Sequence, residues 1–168
     1  ENVNEKSHKQ SDKNKKYGQI DSISGSAMFF CLEVFDKNEG FDENFFLYFE
    51  ETDYCYRSNK NNFKVYQINS QKINHDIGSS VETTNKEDAN KLKNLYTWHF
   101  IWSKFYFSKK RFGKFLSIIL FTPIIIRILI RILFYKITNN QEKLERFQVR
   151  FDGLKCSMIG KKSFMRIN

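Results

Sequence analysis

The feature that most constrains the fold is an apolar run over residues 115–134, FLSIILFTPIIIRILIRILF, which has to be covered by protein or lipid. Its length is close to the roughly 20 residues that cross a bilayer. However, Arg127 and Arg131 interrupt it, at a cost of about 2.5–3.5 kcal/mol each near a membrane centre, and Pro123 is expected to kink it. These costs favour a helix that lies in, or dips into, the headgroup region, and a spanning helix is the alternative.

The charge around this run is strongly one-sided. The chain carries 28 Lys and Arg against 19 Asp and Glu, a formal charge of +9, yet residues 89–141 contain no acidic residue. A basic block rich in aromatic residues suits anionic lipid headgroups or nucleic acid. For the membrane case we expect Trp98 and Trp102 near the interface. The basic residues of the block are Lys91, Lys93, Lys104, Lys109, Lys110, Arg111, Lys114, Arg127, Arg131 and Lys136.

The remaining pattern predicts a short α/β series followed by helices. Residues 23–32 indicate a turn and then a buried strand or the start of a helix. A turn around Gly40 precedes a predicted helix over about 50–60, and residues 63–68 alternate like a strand. Apolar residues at spacings of three and four predict a second helix over about 86–107. Mixed polar helix and loop follow from residue 141.

These patterns divide the chain into four segments: a polar loop or truncation edge over 1–19, an α/β layer over 20–85, basic aromatic helices over 86–140 and a C-terminal tail over 141–168. The three cysteines, Cys31, Cys55 and Cys156, match no zinc or disulfide pattern and are expected to be buried, reduced thiols in a cytosolic compartment. Because the sequence begins with Glu1 and shows no signal peptide, we expect it to be part of a longer polypeptide.

An acidic cluster among aromatic residues, FFLYFEETDYCYR over 45–57, is the strongest sign of chemistry. Carboxylates are costly to desolvate, so Glu50, Glu51 and Asp53 each need a cation, a proton or a close partner. Either they form a catalytic group, in which Glu50 and Asp53 raise the pKa of Glu51, or they complement the N-terminus of a helix. Asp53 can also pair with Arg57 one turn later.

Two further sets of polar residues lie near this cluster. His75, in NHDIGSS over 74–80, is a candidate metal ligand or an ordinary surface or core histidine. Asp42 and Glu43 adjoin Phe45, Phe46 and Tyr48, whose ring faces suit a sugar. The two carboxylates are therefore expected to contact the hydroxyls of an acceptor sugar, or else only to fix the turn after Gly40.

Three segments together resemble the family 2 glycosyltransferases, and within them the rhamnosyltransferase-like enzymes of bacterial surface polysaccharide synthesis. The segments are IDSISGSAMFF over 20–30, EGFDENFFLYFEETDYCYR over 39–57 and HDIGSS over 75–80. In that family the corresponding runs read D-x-V-S-G-A-x-M, G-G-F-D-E-x-F-F-x-Y-x-E-D-x-D-L-x-x-R and H-x-x-G-x-S. Their order and spacing are the same here.

The resemblance implies an α/β fold, the C-terminal half of a GT-A domain, followed by a helical, membrane-associating tail. It implies an inverting glycosyltransferase with Glu51 as the general base, Asp21, Gly25 and Ser26 as substrate-binding residues of a glycine-containing loop, and His75 as a ligand of a divalent metal, Mg²⁺ or Mn²⁺. The implied partners are a nucleotide-sugar donor and a lipid-linked glycan acceptor. The implied place is the cytoplasmic face of the bacterial inner membrane, bound to its anionic surface.

The chain departs from the family pattern in two ways. Glu51 stands where the family has Asp, and neither an Asp-x-Asp motif nor a nucleotide-binding half precedes residue 20. We therefore expect a fragment that is inactive without that half. The alternatives are a basic nucleic-acid-binding protein, although nucleic acid is not the expected partner, and a catalytically dead, membrane-docked interaction module.

Overall fold

The structure, a computed structural model, describes residues 16–74 and 85–166. Most of it is helical, and its contacts divide it into two units. The α/β unit comprises residues 16–43 and 50–74, and the helical unit comprises residues 44–49 and 85–166. The elements are β1 (Tyr17–Ile20), α1 (Leu32–Lys37), α2 (Glu50–Lys60), β2 (Val65–Ile68), α3 (Lys86–Phe112), α4 (Lys114–Ile137) and α5 (Gln141–Met158).

In the α/β unit, β1 and β2 form a two-stranded antiparallel sheet. Tyr17 pairs with Ile68 and Ile20 pairs with Val65. The rings of Tyr17 and Tyr66 meet edge to face at 5.9 Å between centroids, a cross-strand contact that favours this register. The predicted strand over 63–68 is confirmed, whereas the polar loop predicted to extend to residue 19 gives way to a strand at Tyr17.

The two helices of this unit are joined by an aromatic cluster. Phe30, Phe35, Phe41 and Tyr54 contact one another with ring centroids 5.2–5.7 Å apart. The predicted helix over 50–60 is confirmed as α2, and Asn62, two residues after the helix ends, has a φ of 64°. Of the turn and the strand or helix start predicted over 23–32, the structure has a turn at 25–26 and the helix start at Leu32. No strand forms over 23–31, and Phe29 is 94% exposed, so this segment is not buried as predicted.

In the helical unit, α3, α4 and α5 pack around one apolar core made of Ile101, Phe105, Phe121, Ile128 and Leu154. Asn85 caps α3 by accepting a hydrogen bond from the Asp88 amide, 2.8 Å away. Gly113, with a φ of 80°, ends α3 and leads directly into α4. The predicted second helix is confirmed and is longer than its pattern, and the tail from residue 141 forms a full helix that packs on the other two.

The interfacial role predicted for the two tryptophans is wrong, because both are buried in this unit. The indole of Trp98 donates to Asp152 at 2.8 Å, and that of Trp102 donates to the carbonyl of Lys161 at 3.0 Å. Each polar N–H therefore has a partner inside the protein and needs no lipid–water boundary. As predicted, the thiols of Cys55 and Cys156 are free and buried, whereas that of Cys31 is free but exposed.

Candidate active site

The start of α2 brings two carboxylates, Glu50 and Glu51, to the edge of a cavity. The negative charges complement the unpaired amides of the first helical turn. Just before them, Tyr48 and Phe49 have φ values of 67° and 72°. This left-handed conformation costs roughly 1–2 kcal/mol for a residue with a Cβ, so the entry to α2 is a strained backbone of the kind found at functional sites.

The cavity has a volume of about 450 Å³ and lies within the α/β unit. Gly25 closely approaches Glu51, since a Cβ placed on Gly25 would lie 3.7 Å from both Cβ and Cγ of Glu51. Next to it, the hydroxyls of Ser24 and Ser26 are 3.1 Å apart. The cavity thus joins the glycine-containing loop to the acidic cluster. It is lined by Gly25, Ser26, Ala27, Met28, Phe30, Phe41, Glu50 and Glu51.

The surroundings of the two carboxylates differ from those of surface acids. Burial is the main cause that raises the pKa of Glu51, and the negative charge of Glu50 raises it further. The Oε2 atom of Glu50 is buried and has no hydrogen-bond partner among the described residues. A buried carboxylate oxygen is costly to leave unpaired, so this cavity favours a ligand that brings a proton, a donor group or a cation.

Asp53, also predicted as catalytic, lies in a different environment. It is buried and accepts a hydrogen bond from Arg57 Nε at 2.8 Å. The same guanidinium donates to the carbonyl oxygens of Asn38 and, at 2.6 Å, Gly40. Asp53 does not line the cavity, and the charge that raises the pKa of Glu51 is that of Glu50. These contacts support the alternative of a structural pair with Arg57.

Some of the predicted substrate-binding residues line the cavity and others do not. Gly25 and Ser26 line the cavity, whereas Asp21, Asp42 and Glu43 do not. Asp21 is exposed, and its carbonyl accepts a hydrogen bond from Asn59 at 3.0 Å. Asp42 is half-buried and Glu43 is exposed.

The ring face of Phe45, expected to receive a sugar, is occupied by protein. Phe45 is buried, and its ring meets that of Tyr106 at 4.9 Å between centroids within the helical unit. That part of the prediction is wrong, because an aromatic residue beside an acidic cluster fits a core as well as a sugar platform. The apolar wall of the cavity comes instead from Met28, Phe30 and Phe41, for which the sequence pattern predicted no such role. Phe30 belongs to segment 20–30 and Phe41 follows Gly40, so their places in the two motifs are the sequence feature from which both residues could have been identified.

The predicted metal ligand, His75, lies outside the described residues. Within residues 16–74 and 85–166, no group of three or more His, Cys, Asp or Glu side chains is arranged to hold a metal ion. Mg²⁺ takes six ligands, usually one or two carboxylates together with waters and substrate phosphates, so Glu50 and Glu51 would supply only part of a ligand set. The metal therefore stays a prediction, and no catalytic step is derived from it.

A larger cavity in the same unit, of about 610 Å³, offers less chemistry. It is mainly apolar and includes Cys55, whose pKa is raised chiefly by burial. A thiol of raised pKa is a poor nucleophile because its thiolate form is scarce. The cavity with the two carboxylates is therefore the candidate active site.

Comparison with known proteins identifies no relative of this chain. No protein-family model matches the chain, and neither do the curated proteins or the solved structures.

Proposed function

We propose that this chain is part of an inverting glycosyltransferase in which Glu51 is the general base. One observation carries the proposal: the cavity places a carboxylate of raised pKa directly beside Gly25 and Ser26, next to a second carboxylate and an apolar wall. A cavity of about 450 Å³ lies within the usual range for small-ligand sites, roughly 300–1,000 Å³.

In the proposed reaction, a hydroxyl oxygen of the acceptor attacks the anomeric carbon of the donor sugar. The bond from that carbon to the nucleotide diphosphate breaks, and the diphosphate leaves with the electron pair. Glu51 accepts the proton of the attacking hydroxyl. Burial and the charge of Glu50 make its carboxylate a stronger base than a surface glutamate.

The cavity residues have separate tasks in this mechanism. The rings of Phe30 and Phe41 exclude water and offer apolar surface to a sugar ring. The hydroxyl of Ser26 provides a hydrogen bond that orients the substrate. The nucleotide-sugar donor is expected to be held by the nucleotide-binding half that the family resemblance implies. The acceptor is a lipid-linked glycan at the cytoplasmic face of the inner membrane.

The test is the variant Glu51→Gln, made in the gene product that contains this chain. Glutamine keeps the size of the side chain but cannot accept the proton, so we expect transfer to fall about 10²–10⁴-fold. Donor binding should be unchanged. The measurement is sugar transfer to lipid-linked acceptors in membranes, together with nucleotide-sugar affinity.

Glu33→Gln is the matched control, because Glu33 is an exposed glutamate of the same unit and does not line the cavity. It should transfer sugar at the rate of the unmodified protein. Normal turnover in Glu51→Gln would refute the base assignment. An equal loss in both variants would show that the effect belongs to net charge and not to the cavity.

A further inference from the structure

The outward face of α4 is an unusually large exposed apolar surface. The helix packs one face on α3 and α5, where Ser117, Phe121, Ile128 and Tyr135 are buried. Ten large apolar side chains of the helix remain 45–79% exposed, and a soluble monomer seldom leaves so many of them together in water. The exposed set is Phe115, Leu116, Ile119, Leu120, Ile126, Leu129, Ile130, Leu133, Phe134 and Ile137.

Charge is absent from the centre of this surface and present along one side. At 100° per residue, positions 115, 119, 122, 126, 130, 133 and 137 form a stripe opposite the buried face. The single hydroxyl in the stripe, that of Thr122, donates back to the carbonyl of Ile118 at 3.0 Å and so adds little polarity. Arg127 and Arg131, one turn apart, flank the stripe and line a groove with Ile126 and Ile130. We call these residues the α4 surface.

The two arginines have no carboxylate partner among the described residues. Arg131 donates to the hydroxyl of Tyr135 at 3.2 Å. Residues 89–141 contain no Asp or Glu at all. The natural counterion for the α4 surface is therefore an external anion.

By length and composition, α4 is the one helix among the described residues that is able to cross a membrane. Its packing in the helical unit disfavours that orientation. The neighbouring helix α5 packs along it and exposes Gln148, Asp152 and Lys155 in the part of α5 farther from the turn that joins it to α4. If α4 crossed a bilayer in this arrangement, α5 would take these polar and charged side chains into the hydrocarbon, where each is costly. A helix that lies in the plane of the interface leaves α5 on the aqueous side.

We propose that the α4 surface docks this protein in the plane of an anionic phospholipid bilayer. The stripe enters the acyl boundary, and the guanidinium groups of Arg127 and Arg131 bind lipid phosphates. A second copy of the chain is a poorer occupant, since it would bring two acid-free, basic segments together. Nucleic acid is also poorer, because it has no use for an apolar stripe. The proposal uses none of the chemistry of Glu51 and stands or falls separately from it.

The first test is co-sedimentation of the chain with vesicles of phosphatidylcholine alone or mixed with phosphatidylglycerol. We expect binding to the mixed vesicles, weakened about fivefold for each arginine removed in Arg127→Gln and Arg131→Gln. The matched control is Lys155→Gln with Lys162→Gln, which removes two exposed charges outside α4. Ile126→Ser with Ile130→Ser should also weaken binding, and circular dichroism would show that these exposed substitutions leave the helices folded.

Equal losses in the arginine pair and the lysine pair would overturn the proposal, because binding would then follow net charge alone. Vesicle binding that the serine pair leaves intact would also overturn it. So would a dimer in lipid-free solution that the serine pair dissociates, or an RNA oligonucleotide that binds more tightly than the mixed vesicles and depends on the same two arginines.

The second test measures depth. Tryptophan replaces Ile119, Ile126 or Ile137, one variant at a time, and quenching by lipids brominated at different acyl positions reports how deep each ring lies. The native Trp98 and Trp102 are buried in the helical unit and supply a constant background. An in-plane helix places all three positions at one shallow depth. A helix that spans the bilayer would place position 126 much deeper than the other two, which would refute the docking geometry.

Discussion

At the scale of single residues, Gly153 sets how closely α5 approaches α3. A Cβ at this position would lie 2.7 Å from the carbonyl oxygen of Trp98 and 3.0 Å from Cγ2 of Ile101. Gly→Ala within a helix ordinarily stabilises by about 0.5–1 kcal/mol, but here the added methyl meets backbone. We expect Gly153→Ala to lower the free energy of unfolding by about 1–3 kcal/mol, measured by urea denaturation. Gln148→Ala, on the exposed side of α5, is the control and should change it little. A stabilised Gly153→Ala would contradict the packing.

His99 is the second residue with a measurable consequence. It is buried, and its ring lies 2.8 Å from both the carbonyl of Met165 and the hydroxyl of Ser163. Burial is the main cause that lowers its pKa from the ordinary 6.5, and the nearby charge of Arg166 lowers it further. The unfolded chain therefore binds the proton more readily than the folded one.

The sign of the pH effect follows from that difference. The contribution of His99 to stability is fully present above about pH 6.5, the ordinary histidine pKa, and is lost as the pH falls below it towards the folded pKa. We expect the free energy of unfolding, followed by tryptophan fluorescence, to decrease between pH 8 and pH 5.5. The dependence should flatten in His99→Gln. An equally steep curve in that variant would assign the effect to another group.

At the scale of elements, the Asp53–Arg57 pair holds α2 to the turn over 38–40. Arg57 is largely buried and donates to the Asp53 carboxylate and to two carbonyl oxygens of the turn. We expect Arg57→Ala to lower the free energy of unfolding by about 2–4 kcal/mol, because Asp53 would be left buried without this partner. Hydrogen exchange of the α2 amides measures the loss. Arg57→Lys should recover little, since one ammonium cannot replace the planar fork.

The comparison for this prediction is Lys37→Ala. It removes the exposed ion pair between Lys37 and Glu33 of α1, which has the same i,i+4 spacing. Exposed pairs contribute at most about 1 kcal/mol, so α2 exchange should change little. If both variants accelerate exchange equally, the buried pair has no special role.

Local patterns in the sequence were enough to predict α2, β2 and α3, because acidic first turns, alternation and three-to-four spacing report backbone conformation directly. They were not enough to predict what each element packs on. By composition, the tryptophans of α3 fit a membrane interface or a protein core equally well. Their hydrogen bonds to Asp152 and to the carbonyl of Lys161, which depend on tertiary structure, decide for the core. For the candidate site, the family resemblance implied that Gly25 and Glu51 both belong to the substrate site, and in the structure both residues line the same cavity. It did not reveal the apolar wall, because Phe30 and Phe41 meet only through tertiary contacts.

At the scale of the whole molecule, the chain path does not follow its units in order. Residues 44–49 belong to the helical unit, although the residues on both sides of them belong to the α/β unit. Within the helical unit, the carbonyl of Leu47 accepts a hydrogen bond from Ser103 at 2.7 Å, and the ring of Phe46 meets that of His99 at 4.9 Å. No local pattern predicts this assignment, since it depends on pairings with residues more than fifty positions away.

Because residues 44–49 belong to the helical unit, a substitution among them is expected to destabilise that unit. A division of the chain in sequence order would not give this prediction. Phe45 is 7% exposed and packs edge to face on Tyr106 of α3. We expect Phe45→Ala to lower the free energy of unfolding of the helical unit by about 3–5 kcal/mol. Tryptophan fluorescence in urea and hydrogen exchange of the α3 amides measure this change. Phe29→Ala makes the same substitution at a side chain that is 94% exposed and should stay within about 0.5 kcal/mol of the unmodified protein. If Phe45→Ala destabilises the protein no more than Phe29→Ala, residues 44–49 are not part of the helical core, because a buried ring cannot be removed without loss of its packing.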